Sequence, residues 1–317
     1  MSGKDLDLVA LGEPLMEFAA IERDGERLYL PGFGGDTSNV AIAAARQGAK
    51  TAYVTALGAD AFGRGFLELW DAEGVDRSSV TVREGGRTGI YFISYGADGH
   101  EFSYFRAGSA ASLVGPADVP LDLVAKARVL HVSGISQAIS ESAADAVFAA
   151  IRHARAHGTK VSYDTNLRLP LWPLDRARAV IHAAIAGADV ARPGLDDARK
   201  LTGLGTPDEV VDFYLGLGCG IVALTLGKDG TLVATADERR TIPSCRVDAV
   251  DATGAGDAFG GAFLADWIRH GDPFRASEYG NAAAALKTLG KGAVAPIPRR
   301  AAVEAFLRDG TLPDRDR

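Results

Sequence analysis

The chain has 317 residues, of which 47% are hydrophobic and 24% charged, and its 41 acidic and 34 basic side chains give a formal net charge of −7. A chain of this size and composition buries a core typical of an enzyme, and an acidic chain without a Lys/Arg cluster does not fit nucleic-acid binding, which depends on basic side chains. Two cysteines without a CxxC spacing (Cys219 and Cys245), an acidic rather than basic N-terminal segment and the lack of a long apolar run predict a reduced, cytoplasmic protein that does not contact a membrane.

The first part of the chain alternates predicted strands with predicted helices. LDLVALGEP is typical of a buried strand that ends at a glycine turn, and a polar stretch and the glycine-rich PGFGGDTSN follow it. A small-residue helix then runs from Asn39 to Gly48, followed by the strand TAYVTALG and a helix from about 62 to 73 that Gly74 closes. This order predicts a parallel sheet with helices on its faces.

The segment from Arg87 to Arg106 has a different pattern. Its sequence, RTGIYFISYGADGHEFSYFR, alternates apolar with polar or aromatic residues on both sides of a Gly/Asp-rich turn, which is typical of a β-hairpin. No helix separates the two strands. We therefore expect a small antiparallel sheet attached to the main one.

The remainder of the chain returns to the alternating order. The predicted strands are VLHVSG, KVSYDTN, ADVARP, GIVALTLG and TLVATA, and the predicted helices are 140–157, 176–186, 195–202, 257–269 and 276–289. No repeat or linker divides the sequence. We predict a single domain over residues 1–317, with a small lid formed by about 13–33 and 87–109.

The run DATGAGDAF carries the strongest chemical signal. Gly254 and Gly256 permit a tight turn with exposed amides directly before a predicted helix, and such a turn binds anions. Asp257 has two interpretations at this place: a helix N-cap, or the base that takes a proton from a hydroxyl during phosphoryl transfer. We favour the base because the flanking glycines allow a ligand to approach. The sequence contains no GxxxxGK[ST], so a P-loop is excluded.

The DATGAGDAF run is similar to the C-terminal signature of the ribokinase-like (PfkB-type) sugar kinases, and GGDTSNVAIAAARQGAKTAYVTALGADAFG resembles their N-terminal signature. The resemblance implies an α/β fold: a ribokinase-like three-layer α/β/α sandwich with a mostly parallel central sheet and a small β lid. It also implies ATP and Mg²⁺ as cofactors. In the family, the residue matching Asp257 is the catalytic base, and those matching Gly254, Ala255 and Gly256 form the anion hole.

Two groups of residues suit a sugar-like substrate. The segment with Gly34, Gly35, Asp36 and Asn39 matches the part of the family that binds sugar hydroxyls, and we favour this role over the alternative of a tight turn with Asp36 as a helix N-cap. Glu17 matches a sugar-contacting Asp or is a surface residue. Further along the chain, the candidate substrate contacts are Tyr91, Tyr104, Arg106 and Arg168.

Two arginines that converge on one pocket would bind a carboxylate. Arg106 follows two aromatic residues, and Arg168 follows a predicted strand at the edge where α/β enzymes bind ligands. Both segments resemble 2-keto-3-deoxygluconate kinases, which implies ATP-dependent conversion of 2-dehydro-3-deoxy-D-gluconate to its 6-phosphate. A neutral-sugar kinase such as a fructokinase is the alternative, and a non-catalytic sugar or nucleotide sensor is the alternative of another class.

The resemblance also implies the nucleotide and ion sites. The ATP-binding positions are Asn166, Thr225, Gly227, Lys228, Gly230, Gly254, Gly256 and Asn281. A monovalent cation site, for K⁺, matches Asp251, Thr253, Gly290 and Gly292. The sequence departs from the family at Gly194 and Asp197, where relatives often have Asn and a Glu that orders water around Mg²⁺. The hairpin further suggests a homo-oligomer formed through the β lid.

Overall fold

The computed structural model describes residues 4–96 and 99–312. In this part of the chain, the strands are β1 (Leu6–Leu11), β2 (Leu15–Arg23), β3 (Glu26–Gly34), β4 (Thr51–Val54), β5 (Ala56–Gly58), β6 (Thr81–Arg83), β7 (Gly89–Gly96), β8 (Gly99–Phe105), β9 (Ala127–Ser133), β10 (Lys160–Asp164), β11 (Val190–Arg192), β12 (Ile221–Thr225), β13 (Thr231–Ala234) and β14 (Arg239–Ile242). The helices are α1 (Asp36–Arg46), α2 (Ala61–Glu73), α3 (Leu121–Lys126), α4 (Gly134–Ala138), α5 (Glu141–Ala156), α6 (Leu174–Ile185), α7 (Leu195–Thr202), α8 (Pro207–Gly216), α9 (Ala255–His270), α10 (Pro273–Lys287) and α11 (Arg300–Asp309).

The main sheet has eight strands in the order β14-β13-β12-β11-β10-β9-β1-β4. The strands from β4 to β12 are parallel to one another, and β13 runs antiparallel to both of its neighbours, β12 and β14. The predicted α/β fold with a mostly parallel central sheet is therefore confirmed. The predicted strand TAYVTALG is divided, because β4 ends at Val54 and β5 pairs with β6 outside the main sheet.

Helices cover both faces of this sheet because successive strand residues point to opposite sides. Leu8 and Val129 pack in the layer that contains α1, α9 and α10. Their neighbours Val9 and Leu130 pack in the opposite layer, with α5, α6, α7 and α8. Because the paired strands from β4 to β12 are parallel, their carboxyl ends lie at one edge of the sheet, where the loops that carry the candidate site begin.

A second sheet of four strands, in the order β3-β2-β7-β8, projects from the main one. The predicted hairpin corresponds to β7 and β8, and residues 97 and 98 of its turn lie outside the described residues. The structure adds the β2–β3 hairpin, which the polar sequence at 22–26 did not indicate. This sheet, which we call the lid sheet, lies almost entirely within the segments 13–33 and 87–109.

The lid sheet exposes a group of large apolar side chains, namely Leu28, Tyr29, Leu30 and Phe105. An exposed apolar patch of this kind suits association with a partner. Self-association through this sheet stays a prediction. Both cysteines are free thiols, and no helix among the described residues has the length and apolar character needed to cross a membrane.

Candidate active site

The centre of the candidate site is the turn that leads into α9. Gly254 is the N-cap of this helix and has a left-handed backbone with φ of 74°, which favours glycine. It also packs closely against the loop that follows α10, since an added Cβ would lie 3.1 Å from the Ala293 carbonyl oxygen. The glycine turn therefore fixes the direction in which α9 presents its first amides.

Three amides of this turn are available to a ligand. The amides of Gly254, Gly256 and Asp257 have no hydrogen-bond acceptor among residues 4–96 and 99–312, whereas the Ala255 amide donates to the Ala252 carbonyl at 3.1 Å. Of the predicted anion hole, Gly254 and Gly256 line the cavity and Ala255 does not. The open amides and the positive end of the helix dipole favour a negatively charged group at this point.

Asp257 lies beside these amides and lines the same cavity. The Asn39 side-chain amide donates a hydrogen bond of 2.8 Å to Asp257 Oδ2. Burial, followed by the negative charge of Asp36, raises the pKa of Asp257 to about 7, against the opposing effects of Asn39 and Arg192. A carboxyl group with a pKa near neutrality is well suited to accept a proton during catalysis.

Asp36 is not the helix N-cap. Gly35 takes that position, and Asp36 is the first residue of α1. Its Oδ2 accepts a hydrogen bond of 2.9 Å from the Asn166 side chain. This contact joins the start of α1 to the end of β10 and brings two predicted site residues, one from the sugar group and one from the ATP group, against each other.

A buried arginine that the sequence analysis missed lies beneath this group. Arg192, at the end of β11, is 3% exposed, and its Nη2 donates to Asp164 Oδ2 at 3.1 Å and to the Gly256 carbonyl at 3.0 Å. Its Nε and Nη1 have no acceptor in the described part of the chain. Gly260 makes room for the guanidinium, since an added Cβ would lie 2.1 Å from it.

The carboxylates around Arg192 are also perturbed. Burial raises the pKa of Asp164 to about 6, although Arg192 opposes the shift. Burial likewise raises the pKa of Asp197, whose Oδ2 accepts a hydrogen bond from the Leu167 amide at 2.9 Å. This part of the site therefore holds several acidic groups around one buried cation, at the place where Gly194 and Asp197 depart from the family pattern.

One cavity of about 710 Å³ connects these groups. Residues Asp36, Asn39, Asn166, Arg192 and Asp257 line it. The other predicted site residues in its wall are Gly35, Tyr91, Tyr104, Arg106, Arg168, Thr225, Thr253, Gly254 and Gly256. Most of the predicted sugar residues and part of the predicted ATP residues thus come together in a single cleft.

The lid sheet supplies the aromatic end of the cavity. The rings of Tyr91 and Tyr104 stack with centroids 5.6 Å apart, and the Arg106 guanidinium lies 5.5 Å from the Tyr104 centroid. The Tyr91 hydroxyl donates to Glu17 Oε2, and Glu17 is only 3% exposed, so the interpretation of Glu17 as a surface residue is wrong. Gly34 packs against the Tyr91 ring.

The two predicted carboxylate-binding arginines differ in their surroundings. Arg106 is buried and forms an ion pair with Glu13, which is 1% exposed and also accepts a hydrogen bond of 2.9 Å from Ser109. Arg168 is exposed at the rim, where its Nη1 donates to the Leu167 carbonyl at 2.9 Å. The described residues offer Arg168 no ion-pair partner.

Glu13 is a second residue that sequence reasoning missed. It lies two residues after the end of β1, at the carboxyl end of a buried parallel strand. A charged residue at that place is the signal that could have identified it.

Some predicted ATP residues do not line the cavity. Gly227, Lys228 and Gly230 form a short turn beside it. The Asn281 side chain instead supports β13 and β14, because it accepts a hydrogen bond of 2.8 Å from Thr231 and donates to two carbonyls at 3.1 Å. Its polar atoms are thus engaged within the protein, and the structure gives no support to an adenine contact by this side chain.

The predicted cation residues lie at the back of the anion-binding turn. Asp251 Oδ1 accepts from the Thr253 amide and Oδ2 from the Gly292 amide, both at 2.9 Å. Gly290 lies against Pro296 instead. A buried lysine, Lys287, donates to the Asp251 carbonyl at 2.9 Å and is a third residue that the sequence analysis missed.

Comparison with known sequences gives a consistent result. A family model described as "pfkB family carbohydrate kinase" matches residues 7–300. The chain is 36% identical to a 2-dehydro-3-deoxygluconokinase of Thermoproteus tenax, over 93% of each chain. It is also 34% identical to Fructokinase-1 of Oryza sativa subsp. japonica, over 94% of this chain and 96% of the relative.

Solved structures with the same fold were also found. A putative Ribokinase II from E. coli, in complex with ATP and Mg²⁺, has a TM-score of 0.89 and 26% identity, over 96% of this chain and 99% of that one. A fructokinase double mutant from Vibrio cholerae O395, with fructose, ADP and potassium bound, has a TM-score of 0.85 and 29% identity, over 97% and 100% of the chains.

Proposed function

This chain belongs to the pfkB family of carbohydrate kinases, and we propose that it transfers the γ-phosphoryl group of ATP to the 6-hydroxyl of 2-dehydro-3-deoxy-D-gluconate. One observation carries the proposal: a single cavity of about 710 Å³ is lined by Asp257, the open amides at the start of α9, and the two predicted carboxylate-binding arginines, Arg106 and Arg168. Asp257 and the open amides suit phosphoryl transfer to an alcohol, and the two arginines suit a substrate that carries a carboxylate.

The reaction follows from the arrangement at α9. The Asp257 carboxylate accepts the proton of the substrate hydroxyl, whose oxygen forms a bond to the γ-phosphorus while the bond from that phosphorus to the ADP oxygen breaks. The amides of Gly256 and Asp257 stabilise the charge on the transferred group. Asn39 holds the carboxylate of Asp257 in place by its hydrogen bond of 2.8 Å.

The acidic groups near Arg192 fit a magnesium ion that accompanies ATP. The described residues contain no cluster of three or more metal-ligating side chains, and Mg²⁺ bound to a nucleotide needs only one or two carboxylates besides the phosphates. Asp197 Oδ1 has no protein partner among the described residues, so Asp197, with Asp164 beside it, would hold the ion directly or through water. The ion would supply charge neutralisation at the phosphates.

Arg168 is the main support for an acid substrate. Its guanidinium lines the cavity, and no carboxylate of the described residues is paired with it. Arg106 supports the same interpretation with its remaining N–H groups, since its Nε is buried without an acceptor among the described residues. A substrate carboxylate bridging the two side chains would provide those acceptors.

A neutral sugar such as fructose is the second candidate, and one observation favours it. Glu13 already neutralises Arg106, so the buried pair can bind sugar hydroxyls without a substrate charge. The similarity to the 2-dehydro-3-deoxygluconokinase and to the fructokinase is nearly equal, at 36% and 34% identity.

The test compares an acid and a neutral sugar on the same variants. We expect the wild type to have a higher kcat/KM for 2-dehydro-3-deoxy-D-gluconate than for fructose. Arg168→Gln should lower kcat/KM for the acid by about 10- to 100-fold, since a charge-assisted hydrogen bond contributes roughly 1.5–3 kcal/mol. The same change should alter kcat/KM for fructose little.

A matched control is Arg176→Gln, which removes an exposed arginine that does not line the cavity. It should behave as wild type with both sugars. Equal losses for both sugars in Arg168→Gln would remove the carboxylate interpretation, and a wild-type preference for fructose would establish the neutral-sugar alternative.

The non-catalytic sensor is separated from the kinase by ADP release. Wild type should release ADP in the presence of the acid sugar, whereas Asp257→Asn should bind ATP in calorimetry but lose about 10²- to 10⁴-fold in kcat, which is the usual contribution of a positioned base. Near-normal turnover of Asp257→Asn would exclude Asp257 as the base. Sugar and nucleotide binding without ADP release by the wild type would favour the sensor.

A further inference from the structure

Lys287 is the last residue of α10, and its side chain is completely buried at 0% exposure. Its ammonium donates a hydrogen bond of 2.9 Å to the main-chain carbonyl of Asp251. No carboxylate in the described part of the chain forms an ion pair with it. A buried ammonium without a paired carboxylate is costly, so its place in the structure requires an explanation.

The Lys287 ammonium lies against the loop that leads into the anion-binding turn. The amides of Val250 and Asp251 donate to the Thr288 carbonyl at 2.7 and 3.0 Å, and the Gly292 amide donates to Asp251 Oδ2 at 2.9 Å. The loop before Gly254 is thus tied to the segment that follows α10. The Lys287 ammonium lies between these two segments and directs its positive charge at the Asp251 carbonyl.

This is also the region where the sequence predicted a monovalent cation, near Asp251, Thr253, Gly290 and Gly292. The residues do not fit such an ion. Both carboxylate oxygens of Asp251 already accept amide hydrogen bonds, and its carbonyl oxygen accepts the Lys287 ammonium. A potassium ion here would meet the fixed positive charge of the Lys287 ammonium, which already occupies the Asp251 carbonyl.

We propose that the Lys287 ammonium is a built-in substitute for a monovalent cation, which holds the Asp251–Gly254 loop so that the amides at the start of α9 point at the transferred phosphoryl group. Lys287 is thus a positioning residue: it acts through the loop and does not contact the substrate. The inference rests on the kinase activity of the proposed function but not on which sugar is accepted. It separates this chain from the V. cholerae fructokinase, whose structure has potassium bound.

The first measurement needs no variant. At matched ionic strength of about 0.1 M, wild-type kcat/KM for ATP should be equal, within about twofold, in potassium, sodium and tetramethylammonium chloride. The melting temperature should likewise be the same in the three salts, because an ion that binds the folded state raises it. A severalfold activation by potassium, or a melting temperature raised by potassium alone, would overturn the proposal.

The second measurement uses Lys287→Met, which keeps an unbranched side chain one atom shorter than lysine and removes its charge. We expect the KM for ATP to rise about tenfold or more, and potassium or ammonium ions to restore it in a saturable manner, while tetramethylammonium does not. Lys291→Met, at an exposed lysine four positions further, should match wild type in every salt. A folded Lys287→Met that is fully active without potassium, or that no cation restores, would contradict the role of Lys287.

These two measurements distinguish a failure of this inference from a failure of the proposed function. If no sugar gives ADP release, the melting temperature still reports whether the wild type binds potassium. If Lys287→Met does not fold, the wild-type salt series alone decides the question.

Discussion

The pH dependence of the reaction offers the sharpest test of Asp257. Because this carboxyl group must be ionised to accept a proton, kcat/KM should rise with pH and level off above its pKa, which burial and Asp36 raise to about 7. Below that value the group is protonated, and activity should fall tenfold for each pH unit. Two neighbouring substitutions should move this midpoint in opposite directions.

The first substitution is Asn39→Ala. The hydrogen bond of 2.8 Å from Asn39 stabilises the ionised form of Asp257, and removing it should raise the midpoint. A hydrogen bond to a charged group contributes roughly 1.5–3 kcal/mol, or about 1–2 pKa units at 1.36 kcal/mol per unit. Since the cavity is open and water can replace the amide, we expect a shift at the lower end, of about one unit.

The second substitution is Asp36→Asn. It removes the largest electrostatic contribution that raises the pKa of Asp257, so the midpoint should fall. Both variants will also lose activity, because Asp36 and Asn39 line the cavity, but the position of the midpoint is independent of the maximal rate.

The assay is coupled ADP release at low sugar concentration, from about pH 5.5 to 9, where kcat/KM reports the ionisation of the free enzyme. The reasoning is refuted if Asn39→Ala lowers the midpoint or leaves it unchanged, or if Asp36→Asn raises it. A flat wild-type profile across neutrality would exclude Asp257 as the titrating base.

Three further predictions concern packing and buried charge. Gly260→Ala places a Cβ 2.1 Å from the Arg192 guanidinium and should displace it. If Arg192 supports the phosphate site, kcat/KM measured by ADP release should fall at least tenfold, which corresponds to a loss of about 1.4 kcal/mol. Glu13→Ala leaves the buried Arg106 without its partner and should lower the free energy of unfolding in urea by about 3–5 kcal/mol. Ser140→Ala removes the N-cap acceptor of α5, remote from the cavity; it should cost about 1 kcal/mol in the same urea experiment and leave the kinetics unchanged.

Elements with local signals were predictable from the sequence. Helix α2 was expected over 62–73 and is found at Ala61–Glu73, because Asp60 caps its start and Gly74 has the left-handed backbone that ends it. Strand β3 gave no such signal. Most of its residues are exposed on both faces, so the alternation that identifies a half-buried strand does not appear in the sequence.

The same distinction applies to the candidate site. The turn before α9 was predictable because glycines, an acid and a helix start are adjacent in the chain. The partner of Arg106 was not, because Glu13 is 93 positions away and the two meet only through the lid sheet. Asn281 shows another limit: a matching position suggested a nucleotide contact, whereas its side chain forms hydrogen bonds to Thr231 of β13, to the last residue of β14 and to Pro243.

The residues that the sequence analysis missed share one physical property, which is that each is a charged group removed from water. Glu13, Arg192 and Lys287 are at most 3% exposed, and reasoning from periodicity assigns such residues to the surface. A buried charge lowers the stability of the fold unless polar partners offset it, and here the partners belong to the walls of the cavity or to the loop behind it. The unused donors of Arg192 indicate that part of this offset comes only when phosphate is bound. Lys287 does not contact the phosphate but holds the loop whose amides face it, so its loss should weaken nucleotide binding. ATP should therefore stabilise the wild type against heat more than it stabilises Lys287→Met.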